Sequence, residues 1–268
     1  MRYLFLVLLL FIPFKVLADQ DKPRPLPSCG KQIPYGMPET KKELVIICRT
    51  AYLLGSDTLA KLPAWVAYEL TPKHALGCLP RSNAFASDKS LDPEHRSDPK
   101  DYVGTGYDIG HMAPDGDMSW SDISEKESFI LSNMSPQLPG LNRGIWKLLE
   151  TAVRTWSADD KKNLIIYVGP IYNNKDKTIG EGKITVPHAF YKIIIDSNNN
   201  EVLAFIFPQK EALGNDLSKF QTTVKDIEDA TDITFKLSKG ANKTIKTKLW
   251  DYSVKSLLND KRDACRLN

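Results

Sequence analysis

The chain has 268 residues, of which 42% are hydrophobic and 26% charged, with a formal net charge of +3. That balance is enough for a folded core and excludes a disordered or low-complexity chain. So small a net charge also excludes a surface that holds a polyanion by its overall field, so any attraction to nucleic acid has to be local.

Residues 1–18 carry Arg2, an apolar run from Leu4 to Phe14, and Val16-Leu17-Ala18, the pattern of an export signal. The run is well short of the ~20 apolar residues that a spanning helix needs, so it is expected to be a cleaved leader, and no other segment reads as a membrane span. Loss of Arg2 and Lys15 with the leader would bring the net charge to +1. Residues 19–28, with Pro23, Pro25 and Pro27, are expected to form an extended lead-in, and residues 29–268 a single domain, because no composition break divides them. Cys29, Cys48, Cys78 and Cys265 in an exported chain point to two disulfides. Their spacing fits no zinc pattern, and three pairings are open. The expected location is periplasmic or secreted.

In chain order, residues 44–54 and 63–70 are rich in Val, Ile, Leu, Tyr and Trp and predict two neighbouring strands. Residues 94–106 read as a polar loop, and 121–128 as a short helix with acids in its first turn. After Pro139 comes the clearest helix, with Leu141, Ile145, Leu148, Leu149, Ala152, Val153 and Trp156 on one apolar face. At about 100° per residue, Asn142 and Glu150 lie roughly 80° apart around its axis, with Trp146 between them and Arg154 one turn on. Its polar flank would thus present an amide, a carboxylate and a guanidinium to one cleft. Residues 164–168, 186–196 and 202–207 predict strands, the last two joined as a hairpin by Ser-Asn-Asn-Asn. Residues 224–230 predict a helix, and the remainder to Asn268 is weakly patterned.

Three short blocks carry chemistry: Tyr-Asp-Ile-Gly-His-Met-Ala-Pro from Tyr107 to Pro114, Ser-Asn-Met-Ser-Pro-Gln from Ser132 to Gln137, and Leu-Asn-Arg-Gly-Ile-Trp from Leu141 to Trp146. Each residue has an ordinary explanation alone: His111 as a structural histidine, Asn142 as a helix cap. Together the blocks bring a base, His111, two carboxamides, Asn133 and Asn142, a carboxylate, Glu150, and an arginine, Arg154. That set suits phosphodiester hydrolysis, which needs an activated water, neutralised charge in the transition state and a stabilised leaving oxygen. An unperturbed imidazole, with pKa ~6.5, is mostly neutral at pH 7, so activity should rise with pH through the His111 titration. Lys73, Arg81, Arg143, Lys147 and Arg154 are the candidate local cations. Gly104-Thr-Gly106 with Gly110 has the wrong spacing for a dinucleotide loop.

The blocks, with Cys29-Gly-Lys-Gln-Ile-Pro, Trp65-Val-Ala-Tyr-Glu-Leu, Gly169-Pro-Ile-Tyr, Val186-Pro-His-Ala-Phe-Tyr-Lys and Val224-Lys-Asp-Ile-Glu, resemble the DNA/RNA non-specific endonucleases. These are the sugar-non-specific branch of the ββα-metal (His-Me finger) nucleases, and the resemblance runs from Cys29 to Phe235. It implies an α+β fold with a central antiparallel β-sheet flanked by helices, carrying a ββα-metal motif. It also implies DNA and RNA as substrates, 5′-phosphate products and a single Mg²⁺, with Mn²⁺ as a substitute. His111 falls on the general base, Asn142 on the one direct metal ligand, and Glu150 on the acid that grips a water of the metal. Asn133 falls on the amide that supports substrate or transition state, and Arg81 and Arg154 on phosphate-holding arginines. Asp108 takes a supporting role through water or backbone. Ile109 stands where the family usually has arginine, which leaves a catalytically impaired, nucleic-acid-binding relative as the alternative reading. The sequence indicates neither an inhibitor partner nor an oligomeric state.

Overall fold

A computed structural model describes residues 22–266, so the expected leader lies outside the described residues. In chain order the main strands are β1 (Val45–Cys48), β2 (Tyr52–Asp57), β3 (Leu62–Leu70), β4 (Asp108–His111), β5 (Met134–Gln137), β6 (Leu164–Ile171), β7 (Ala189–Asp196), β8 (Val202–Pro208) and β9 (Gln221–Thr222). The helices include α1 (Asp115–Met118), α2 (Asp122–Ser128), α3 (Lys147–Ala158), α4 (Val224–Thr231) and α5 (Val254–Arg266). Among the described residues, one antiparallel sheet of seven strands runs β9-β8-β7-β6-β3-β2-β1, and β4 pairs with β5 in a separate antiparallel ribbon. The fold is therefore α+β, built on a large antiparallel sheet.

The central strands read as unbroken apolar runs because both faces of the sheet are covered. In β6, Leu164, Ile166 and Val168 join the core beneath α3 and α5, while Ile165 and Tyr167 join a second core under α4 and the N-terminal turn. The same period of two runs through β7, where Phe190 and Ile194 face α3 and Tyr191, Ile193 and Ile195 face α4. Trp146, Leu149, Val153 and Trp156 bind the catalytic-side helix to the first of these cores.

The structure departs from the sequence reading in four places. Residues 44–54 are not one strand: the chain doubles back at Arg49, whose N–H bonds the Tyr52 carbonyl at 2.8 Å, and β1 pairs directly with β2. Arg49 is fully buried there because Asp88 meets its guanidinium at 2.7 Å. The extended lead-in stops at Pro25, since Leu26–Gln32 form a 3₁₀ turn. The weakly patterned C-terminal stretch contains α5, a mostly polar helix that buries little more than Leu257. The helix after Pro139 starts as a wide π-type turn over Leu141–Trp146, broken at Gly144, with regular α-helix only from Lys147.

Among the described residues, Cys29 pairs with Cys48 and Cys78 with Cys265. The first ties the N-terminal turn to β1. The second ties α5, over a sequence separation of 187 residues, to the segment just before Arg81. Trp156 Nε1 on α3 also donates to the carbonyls of Trp250 and Asp251, so α5 arrives already anchored at its entry. Among the described residues, no helix is long and apolar enough to cross a membrane.

Closing so long a loop removes much of the unfolded chain's freedom. Replacing Cys78 and Cys265 together by serine should lower the unfolding free energy by about 3–5 kcal/mol. Denaturant titration under non-reducing conditions measures it, and an unchanged midpoint would show that α5 is held by packing alone.

Candidate active site

The ribbon places the first two blocks side by side. Its register sets Asp108 opposite Gln137, Gly110 opposite Ser135 and His111 opposite Met134. Gly110 is required because a Cβ there would run into the buried Gln137 side chain. After β5 the chain enters the wide turn and then α3, so ribbon and helix together make a ββα unit. Between them opens a cavity of about 670 Å³ whose lining includes Arg81, Asp108, His111, Asn142, Glu150 and Arg154.

His111 reaches this cavity from a nearly enclosed position, 7% exposed. Its ring stands edge-on to Phe129 at 4.9 Å and tilted to Phe85 at 5.7 Å. Nε2 is sealed from solvent with no partner among the described residues, which leaves Nδ1 as the ring nitrogen that meets the cavity. Burial, with the Arg81 guanidinium adding to it, pushes the His111 pKa down to about 3. The imidazole is therefore neutral across the physiological range, and the titration near pH 6.5 expected for an ordinary histidine does not apply.

Asn133 lies apart from the cavity. It is fully buried, its Oδ1 accepts from the Ala113 N–H at 2.9 Å, and its Nδ2 donates to the carbonyls of Ala113 and Ser128 at 2.8 and 2.9 Å. Its main-chain carbonyl takes the Met112 N–H as well. Every polar group of the amide is thus engaged, the oxygen and one donor by Ala113 on the chain leaving His111 and the other donor by Ser128. That corrects the expectation that Asn133 supports the substrate: it sets the exit of the strand that carries the histidine.

Asn142 is not a helix cap. The turn begins at Gly140 with no side-chain cap, and the Asn142 amide reaches back to the ribbon, Nδ2 donating to Asp108 at 2.9 Å. A carboxylate only accepts, so this contact fixes which end of the amide is nitrogen. Oδ1 is left without a partner among the described residues, on a side chain that lines the cavity. Arg143 closes on the same carboxylate with Nε at 2.8 Å and Nη2 at 2.6 Å, a bidentate pair. Burial pushes the Asp108 carboxyl up, but hydrogen bonds from Arg143 and Asn142 outweigh it and hold the group below the usual carboxylate range.

On α3, Glu150 and Arg154 both line the cavity, as the helical spacing predicts, but Trp146 does not lie between Asn142 and Glu150 at the surface. It is fully buried against Phe190 and Phe207, because the wide turn rotates it under the helix. Arg154 pairs with the buried Asp117 at 2.8 Å, and Asp117 also accepts from the Tyr68 hydroxyl at 2.8 Å. Gly116 leaves room for this: a Cβ there would fall 2.8 Å from the Arg154 guanidinium. Burial raises the Glu150 pKa to about 7, against the opposing charges of Lys192 and Arg154. Arg81 pairs with Asp115, donates through Nε to Asn83 at 2.7 Å, and lies 4.8 Å over the Phe129 ring. Both arginines must therefore share a carboxylate with any phosphate they hold.

Among the described residues, no group of three or more His, Cys, Asp or Glu side chains is placed to hold a metal ion. An ion here would have few protein ligands, which is how Mg²⁺ binds when it keeps most of its waters. The lone amide oxygen of Asn142, with the carboxylates of Asp108 and Glu150 on the same cavity, fits that chemistry. Sequence reasoning overlooked Asp117 and Asp115, which orient the two arginines, and Phe129, which encloses the histidine. Asp115 and Asp117 stand directly after the first block, and that adjacency was the available signal.

A two-stranded ribbon leading into a helix, with histidine and asparagine on one polar cavity, defines a ββα nuclease. The family model described as DNA/RNA non-specific endonuclease matches residues 30–242, and the chain belongs to that family. It is 32% identical to the nuclease of Serratia marcescens over 231 residues, covering 82% of this chain and 84% of that protein. It is 29% identical to mitochondrial endonuclease G of Bos taurus over 223 residues, covering 77% and 73% of the two chains. A solved complex of EndoG with EndoGI, described as showing the mechanism of EndoG inhibition, superposes with a TM-score of 0.73 at 28% identity, covering 81% of this chain and 94% of that one. The protein is a nuclease.

Two expectations come from the geometry. Asn133→Ala should lower the melting temperature together with activity, because it strips the partners from buried main-chain groups at a cost of about 1–3 kcal/mol each. Asn142→Ala should leave melting almost unchanged; equal melting shifts in the two variants would erase the distinction drawn here. His111 supplies the second. Its folded pKa lies below the ~6.5 of the unfolded chain, so between those values only the unfolded state binds the proton and stability falls as pH drops. His111→Asn should flatten the acid side of the stability profile by up to about 1.4 kcal/mol per pH unit. Parallel profiles for variant and wild type would mean that His111 is not desolvated.

Proposed function

We propose that the protein is a Mg²⁺-dependent endonuclease that hydrolyses DNA and RNA with little sequence preference, leaving 5′-phosphates. One observation carries the reading: a neutral imidazole and an unpartnered amide oxygen, each oriented by contacts to buried or ion-paired neighbours, open on a single cavity walled by arginines. Asn142 would hold the ion directly and Glu150 through water, and Mn²⁺ could take the same place. When bound, the ion supplies positive charge to the crowded phosphorus and to the departing 3′ oxygen.

The protein's own groups account for the remaining steps. His111 Nδ1 takes the proton of the attacking water, and the aromatic surround keeps the ring neutral until it does. Arg81 and Arg154, which both line the cavity, hold the phosphate, with Asp115 and Asp117 setting their orientation. Asp108 acts on the site through Asn142, whose amide it orients. All these groups address phosphate and water, which carry no base information, and this supports a lack of sequence preference.

Ile109 lines the cavity where the family usually has a cation. Arg81, Arg143, Lys147 and Arg154 line it too, so the missing charge is one of several, and we read the consequence as slower turnover rather than a pure binding protein. Two disulfides support function in an oxidising compartment, periplasmic or extracellular.

His111→Ala and Asn142→Ala should each lower kcat on plasmid DNA and on RNA by about 10²- to 10⁴-fold, and EDTA should abolish wild-type cleavage. A His111→Ala enzyme that kept a tenth of the activity would remove that residue from the role of base. Ile109→Arg should raise kcat/KM by about tenfold and steepen its salt dependence, since a charge-assisted hydrogen bond contributes roughly 1.5–3 kcal/mol. Wild type no faster than His111→Ala, while still binding nucleic acid, would instead favour the impaired binder.

A further inference from the structure

β7 is apolar from Ala189 to Ile195 except at Lys192, between Tyr191 and Ile193, where the period of two points the side chain with Phe190 and Ile194 toward α3. Lys192 is fully buried, its Nζ has no hydrogen-bond partner among the described residues, and it lies 4.7 Å from the centre of the Trp146 ring. Trp146 is one helical turn before Glu150, so the ammonium sits under the stretch of helix that presents that carboxylate. An unpartnered ammonium in a core is costly unless a nearby charge balances it.

The charged and titratable groups facing this region are few. From α3 come Glu150 and Arg154, from α1 Asp117 and Asp115, and from β3 the Tyr68 hydroxyl. Asp117 is taken by Arg154 and Tyr68, and Asp115 by Arg81, which leaves Glu150 as the countercharge of Lys192. Burial pushes the Lys192 ammonium down and the Glu150 carboxyl up, and each opposes the other's shift before any further charge does.

We propose that Lys192 is a positioning residue for nuclease activity: from the sheet beneath α3 it holds Glu150 ionised and in place at the floor of the cavity. The inference rests on the role given to Glu150 above. It differs from a purely structural lysine, which would fill space under Trp146 without acting on the carboxylate.

The test is a double-mutant cycle of wild type, Lys192→Met, Glu150→Gln and the double variant, read in two ways. The first is kcat/KM against pH with Mg²⁺. If ionised Glu150 is needed, activity rises with pH through its titration, and removing the cation should move that rise about 1–3 pH units toward alkaline. Lys192→Met should then be at least about fivefold slower at pH 7, with the gap narrowing as pH rises further. In the Glu150→Gln background the lysine substitution should add no further loss. The second is melting against pH in EDTA. A carboxyl whose folded pKa is raised loses stability as pH climbs through that value, so Lys192→Met should lose melting temperature between pH 7 and 9 where wild type does not. The double variant should lack this loss.

A pH-independent drop in activity, or an equal drop with and without Glu150, would overturn the proposal. If Lys192→Met does not fold, the double variant, which removes the charges as a pair, should; failure of both would make Lys192 structural. If wild type shows no nuclease activity, the reading of the site has failed, and the metal-free melting cycle still decides whether Lys192 acts on Glu150.

Discussion

One hydrogen bond, from Asn142 Nδ2 to Asp108, joins the ribbon to the turn that leads into α3 and decides which end of the amide faces the cavity. Without it the carboxamide could present either end, and only the oxygen end can meet a hard cation. Asp108 is fixed in turn by the bidentate Arg143, so the amide is oriented by a carboxylate that is itself held from the solvent side. The wide turn at Leu141–Trp146 serves the same contact. It lets Asn142 lean back to the ribbon while Trp146 swings beneath the helix into the core.

Below the cavity, a group of charges is buried between sheet and helix. Arg154 pairs with Asp117, to which Tyr68 adds a hydroxyl, while the ammonium of Lys192, unpartnered among the described residues, lies in the core beneath the helix that carries Glu150. Removing one member would leave an unbalanced charge, which in such a setting costs more than the pair gains. Charge balance beneath the helix thus bears on both its packing and the groups it presents to the cavity. The sheet affords this because β6 and β7, buried on both faces, provide a rigid floor.

Much of this was legible in the chain. The strands at 63–70, 164–168 and 202–207 follow from their runs of apolar and β-branched residues, because both faces of the sheet are buried, and the apolar stripe of α3 follows from helical periodicity. The resemblance carried the ribbon and its pairing with the helix, which periodicity alone could not supply. Three features stayed hidden for physical reasons. The β1–β2 reversal uses Arg49, a residue that looks like surface until Asp88, 39 positions away, is brought to it. The helix α5 is held by Leu257 and a disulfide rather than by an apolar stripe, so it leaves little pattern. Asn133 belongs to the second block yet faces inward, because its oxygen and one donor bond Ala113, just after His111, and its other donor bonds the Ser128 carbonyl. Whether an amide in a motif touches the substrate or the backbone is a tertiary fact that neighbouring residues do not encode. His111 is similar: its identity suggested a titration near neutrality, and the aromatic enclosure that removes it comes from residues distant in sequence.

The central claim, that Asp108 turns the Asn142 oxygen into the metal ligand, is tested most directly by locating the ion. Crystals of the mature protein soaked in Mn²⁺ and measured at an anomalous wavelength would show its position. The account predicts a single peak about 2.1 Å from Asn142 Oδ1, with Nδ2 still on Asp108 and Glu150 reaching the ion through water. A peak held by Glu150 and Asp115 with Asn142 outside its coordination, or an amide whose oxygen points away from the ion, would contradict it.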